Sequence, residues 1–158
     1  MQKTSKYARK RAAGLTYCAN RFSVPALLDQ ARPFDGEDDV QHLIDDHQAA
    51  YQRLATGKGT EEDFDNVSMK LNVGLVRAED IDPLLVATMK LGQGAMVRMK
   101  ARVARGLAFG FDADGLRDVP YALEAYEVIL AKSSPLQMKL AIQEAWSRVT
   151  GGDVLEVH

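Results

Sequence analysis

The sequence contains one cysteine, Cys18, in 158 residues. That excludes an intrachain disulfide, and it leaves the thiol without a same-chain CxxC partner for redox exchange or zinc binding. Long apolar runs are missing too. The longest, such as Pro83–Ala87, fall far short of the roughly 20 residues a membrane span requires. Nucleotide signatures are absent: Gly92, Gly94 and Gly106 form neither GxGxxG nor a P-loop, and no strand precedes them. There is no HExxH, no repeat and no low-complexity tract. No segment of alternating hydrophobicity is long enough to build a sheet.

What is present is an ordinary globular composition, 46% hydrophobic and 27% charged. The length suits one domain able to bury about two-thirds of its unfolded surface without metal or disulfide staples. The beginning is basic from Lys3 through Arg11, but Ala12–Ala19 never becomes the apolar core of a signal peptide. The chain therefore reads as not exported, and a cytoplasmic location is expected.

The formal charge of −2 hides a segregation. Residues 1–35 carry seven Lys/Arg against two acids, and residues 36–82 carry four against twelve. Residues 83–106 carry five against none, and the remainder four against eight. Such alternating blocks steer complementary surfaces together.

Residues 1–36, punctuated by Gly14, Pro25, Pro33 and Gly36, read as a basic N-terminal arm with one short turn near Ala26–Ala31. Residues 37–158 read as a helical domain. A first helix spans about Glu37–Thr56, with Val40, Leu43, Ile44, His47, Tyr51 and Leu54 at helical spacing and Gly57 as its stop. Thr60 and Asp63 form a capping-box pattern for a second helix to about Ala78, burying Phe64, Val67, Leu71 and Leu75. Asp82 and Pro83 start a third, reaching about Arg105, with an apolar stripe from Leu85 to Val103 and a small-residue patch at Gly92, Gly94 and Ala95. Pro120 admits two readings, a helix continuous from Ala113 and kinked there or, the favoured one, a turn ending near Arg117 and a new helix capped by Asp118. Ser133, Ser134 and Pro135 stop that helix and start another, carried by Leu136, Leu140, Ala141, Ala145 and Val149 to Gly151; Asp153–His158 forms a short extended piece. The expected fold is all-α, an irregular bundle of about five helices with a basic arm.

Few residue constellations carry chemistry. Asp38, His42 and Asp46 fall on one helix face at steps of four, a donor set suited to zinc or manganese, but no further ligand supports it and a solvated acidic face is the plainer reading. His47 lies on the apolar stripe, where Asn72 is the expected polar partner of a core histidine. Cys18 has no activating neighbour. Trp146 reads as a core or edge residue that would act as an anchor on an exposed face. The acid-free third helix aligns Arg98, Arg102 and Arg105. Three readings fit those cations: neutralisation of acidic neighbours, contact with nucleic acid together with Lys3, Lys6, Arg9, Lys10 and Arg11, or contact with an acidic protein. The pI near 5.9 weighs against a dedicated nucleic-acid binder.

His47-Gln-Ala-Ala, Leu54-Ala-Thr-Gly57, Asp63 to Asp65 and Lys70-Leu71-Asn72, continued by Arg102 to Phe111 and Tyr121 to Glu127, resemble small helical proteins of proteobacterial phages and related mobile elements. The resemblance covers about Gln41–Val154. It implies a phage or prophage accessory origin, for which acting on a host protein is a common role. The expected function is a non-enzymatic interaction factor without cofactor or metal, binding a host protein or itself. The alternative is a nucleic-acid-associated regulator using the arm and the arginine face.

Overall fold

The computed structural model describes residues 47–151. The basic arm with Lys3, Lys6, Arg9, Lys10, Arg11 and Cys18, the Asp38, His42, Asp46 face and the Asp153–His158 tail lie outside the described residues. Within them the chain forms five helices and no strand, an all-α fold.

Helix α1 occupies residues 47–55 of the described chain. Gly57 ends it at φ +71, a left-handed conformation that a side chain would strain. Helix α2 is Glu61–Ala78, and both halves of its capping box form: the Asp63 amide donates to Thr60 Oγ1 and the Thr60 amide donates to Asp63 Oδ2. Helix α3 is Pro83–Ala104; Asp82 Oδ1 accepts from the Leu84 amide at 2.7 Å, and Pro83 stands where its missing N–H costs nothing. Gly106, at φ +85, closes the turn after it.

Helix α4 is continuous over Ala113–Ala131 and is capped by Asp112, whose Oδ1 accepts from the Gly115 amide at 2.7 Å. The break expected before Pro120 is absent. An interior proline costs about 3 kcal/mol, but the earlier start gains the Asp112 cap, the Arg98–Asp112 ion pair to α3 and the burial of Gly115, none of which a helix beginning at Asp118 would have. Asp118, instead of capping, accepts from Arg117 Nε at 2.9 Å. The Pro120→Ala variant, which restores an i−4 donor, is expected to be about 1–2 kcal/mol more stable in denaturant titration, net of the added freedom of its unfolded chain. A less stable variant would show that packing requires the proline's local geometry.

Helix α5 is Pro135–Gly151. It opens on a second reciprocal cap, in which the Ser134 amide donates to Gln137 Oε1 and the Gln137 amide to Ser134 Oγ. Of the expected stripe, Ala141 and Ala145 face the core, joined by Met138, whereas Leu136 and Leu140 are exposed.

Helix α2 is the centre of the bundle, packing against α3, α4 and α5. Its C-terminal end is tied down twice. Buried Arg77 donates from Nε to Ser133 Oγ at 3.0 Å, and Glu79 receives a bidentate pair from Arg148 of α5, both bonds 2.8 Å. The α3–α4 interface is the most extensive. There the Gly92 backbone comes so close to α4 that an added Cβ would stand 2.6 Å from the Ala122 Cβ. Gly92 of the small-residue patch thus serves helix packing, whereas a Cβ at Gly94 would meet only the Arg98 side chain of the same helix.

Candidate functional site

The three arginines aligned on α3 have three different environments. Arg98 reaches the cap of α4, donating from Nε to Asp112 Oδ2 at 2.8 Å, with Asp118 4.0 Å from its Nη2. The Arg98 guanidinium, by hydrogen bonding first and charge second, holds the Asp112 carboxyl below the usual carboxylate range. Arg102 donates from Nη1 to the Gly110 carbonyl at 3.1 Å, fixing the turn that packs back on the end of α1. Arg105 is exposed and, among the described residues, donates only to the Ala101 carbonyl of its own helix. Two of the three side chains therefore secure the α3–α4 connection.

His47 and Asn72 are also parted. His47 is fully buried and meets Tyr126 edge-on, ring centroids 5.5 Å apart; Asn72 faces elsewhere, its Oδ1 accepting from Gln93 Nε2 at 2.8 Å. The periodicity of α1 placed His47 correctly in the core. It could not show which face of α2 would oppose it.

That other face of α2 lines a cleft. Helices α3 and α5 both pack on α2 but scarcely touch each other, so a cleft of about 610 Å³ opens between them. Phe64 and Met69 of α2, Met96 of α3 and Trp146 of α5 supply much of its apolar wall. Within the wall, the Ser68 hydroxyl is shielded from solvent and has no hydrogen-bond partner. On the α3 edge, Lys90 and Lys100 are exposed and about 15 Å apart by helical rise. The Glu79–Arg148 pair closes the end near Lys90. No periodicity argument singles out this cleft. Its only signal in the sequence is the pairing of methionines, which adapt to varied apolar partners, with the one tryptophan.

Among the described residues no group of three His, Cys, Asp or Glu side chains is placed to hold a metal ion. Nor is any helix there long and apolar enough to cross a membrane. Compared with family models, curated proteins and solved structures, the chain matches none.

Proposed function

We propose that the protein is a non-enzymatic, cytoplasmic interaction factor of the phage accessory kind, and that its α2–α3–α5 cleft receives a helical segment of a host protein. The observation that carries this reading is the cleft's composition: methionine, phenylalanine and tryptophan walls, with two cations along one rim. An amphipathic helix lays its apolar face into such a groove at i, i+3, i+4 and i+7. Lys90 and Lys100 select a segment with acidic side chains about three turns apart. A nucleic-acid-associated regulator is the weaker reading, because Arg98 and Arg102 already have partners within the fold.

The test compares the full chain with Trp146→Ala and with the double variant Lys90→Glu, Lys100→Glu in affinity capture from host lysate, followed by titration of the purified captured protein. Trp146 is the sole tryptophan, so its fluorescence should respond when the cleft fills. Both variants should bind at least roughly 10-fold more weakly. A captured protein that binds all three alike and leaves the fluorescence unchanged would place recognition elsewhere.

A further inference from the structure

A second surface lies on the other edge of α3. Gly92 meets Ala122, while Arg98 pairs with Asp112, so rising numbers on α3 run against falling numbers on α4: the two helices are antiparallel. At 3.6 residues per turn, the residues just before the contact, Leu91 and Tyr121, turn to the same outer side of the pair. Two turns along, in the same direction, come Leu84 and Val128. Two turns the other way come Arg98 and Asp114, an arrangement consistent with the Arg98 ion pairs to Asp112 and Asp118.

All four apolar side chains are open to solvent: Leu84 by 73%, Leu91 by 57%, Tyr121 by 63% and Val128 by 45%. Ala87 and Thr88 lie between the leucines and Ala125 between Tyr121 and Val128. No charged side chain stands between the two leucines of α3, since Lys90 turns to the cleft instead; on α4 the exposed Glu124 flanks the ladder between Tyr121 and Val128, beside buried Ala125. Together the four expose roughly 500 Å² of mostly apolar surface, near the upper limit of a normal largest patch on a monomer.

We infer that this α3–α4 face is a homodimer interface, its occupant a second copy of the chain. The fit is self-complementary. A twofold axis along the helices lays α3 on the second copy's α4, again antiparallel. Leu91 then stands over Tyr121 and Leu84 over Val128, while Arg98 approaches Asp114 and Lys132 approaches the Asp82 end of α3. Opposite charges meet only toward the ends of the pairing, Arg98 near Asp114 and Lys132 near Asp82, because Lys90 and Lys100 turn to the cleft and Arg102 is held by the Gly110 carbonyl. At roughly 500 Å² the patch is smaller than the roughly 800 Å² per partner of a standard interface, which fits a dimer at the weak end of the range. Tyrosine and leucine at its centre fit the dehydrated core of such a contact.

The experiment is light scattering coupled to size exclusion on the full chain, from micromolar to near-millimolar concentration. The expected mass is twice 17.4 kDa. Leu91→Asp and Tyr121→Asp, both at exposed positions, should raise the dissociation constant by roughly 30-fold or more with unchanged circular dichroism. The milder Tyr121→Ala should fall between them and the parent. Leu107→Asp, an equally exposed leucine in the α3–α4 loop, should leave the dimer intact. A monomer at every concentration overturns the inference. So does a dimer that survives Leu91→Asp and Tyr121→Asp, or one that Leu107→Asp disrupts as strongly.

Discussion

Gly92→Ala is expected to destabilise the protein by about 1–3 kcal/mol, although alanine is the better helix former by about 1 kcal/mol. The new Cβ would stand 2.6 Å from the Ala122 Cβ and 3.1–3.2 Å from both Leu71 methyl carbons. A Cβ cannot rotate away from its own backbone, so relief requires α3 and α4 to move apart along their main interface, and close-packed interiors resist such shifts. Exchanging the sizes, Gly92→Ala with Ala122→Gly, keeps the total volume and the summed helix propensity, and should recover most of the loss. Gly74 is the useful contrast. A Cβ there meets first the Met89 sulfur, at 2.7 Å, in a flexible side chain that can move, so Gly74→Ala should cost less. Denaturant midpoints at constant slope read all three. A Gly92→Ala protein as stable as its parent would mean that α3 and α4 have slack at the crossing.

Asp63→Ala removes two supports at once and should cost about 1–3 kcal/mol. The carboxylate accepts from the Thr60 amide in the capping box and receives Arg53 of α1 through Nε and Nη2. It therefore both starts α2 and fastens α1 to it. The cap contributes about 1 kcal/mol; the ion pair adds less, because Arg53 is half exposed and solvent screens it. The Arg53 hydrogen bonds, ahead of the opposing effect of burial, hold the Asp63 carboxyl below its ordinary value. A lowered folded pKa fixes the sign: the contribution is complete above the unfolded pKa near 3.9 and is lost as pH falls through the folded value. The stability gap between parent and Asp63→Ala should thus be widest at neutral pH and shrink below about pH 4. A gap independent of pH would assign the effect to packing alone. Asp63→Asn, which keeps an acceptor for the Thr60 amide but lacks the charge, should lose mainly the part due to Arg53.

The local chemistry of helix ends was legible because it depends on residues within four positions of one another. Thr60 with Asp63, Asp82 with Pro83, and Gly57 each work through adjacent backbone, and each does in the fold what its spacing predicts. The buried stripes of α2 and α3 were legible for the same reason: a helical period is set by the chain itself. Pro120 and α5 mark the limit. A proline is a local penalty, and the Arg98–Asp112 ion pair that helps to outweigh it comes from another helix. On α5, Ala141 and Ala145 turn inward as their spacing predicts, but Met138 replaces Leu136 and Leu140 as their apolar neighbour in the core, because apolar residues lie on both sides of the alanines and packing against α2 chooses between them.

The candidate sites divide in the same way. From composition and spacing alone come the all-α class, the caps, the acid-free α3 and the opposite charge of its neighbours, all properties of near neighbours along the chain. Only the tertiary structure decided that Arg98 and Arg102 serve the α3–α4 connection, that Asn72 pairs with Gln93 and not with His47, and that Trp146 shares a cleft with Phe64 and Met96. Those outcomes depend on which faces of separate helices meet, and a helical period fixes a stripe's existence without fixing what it will face.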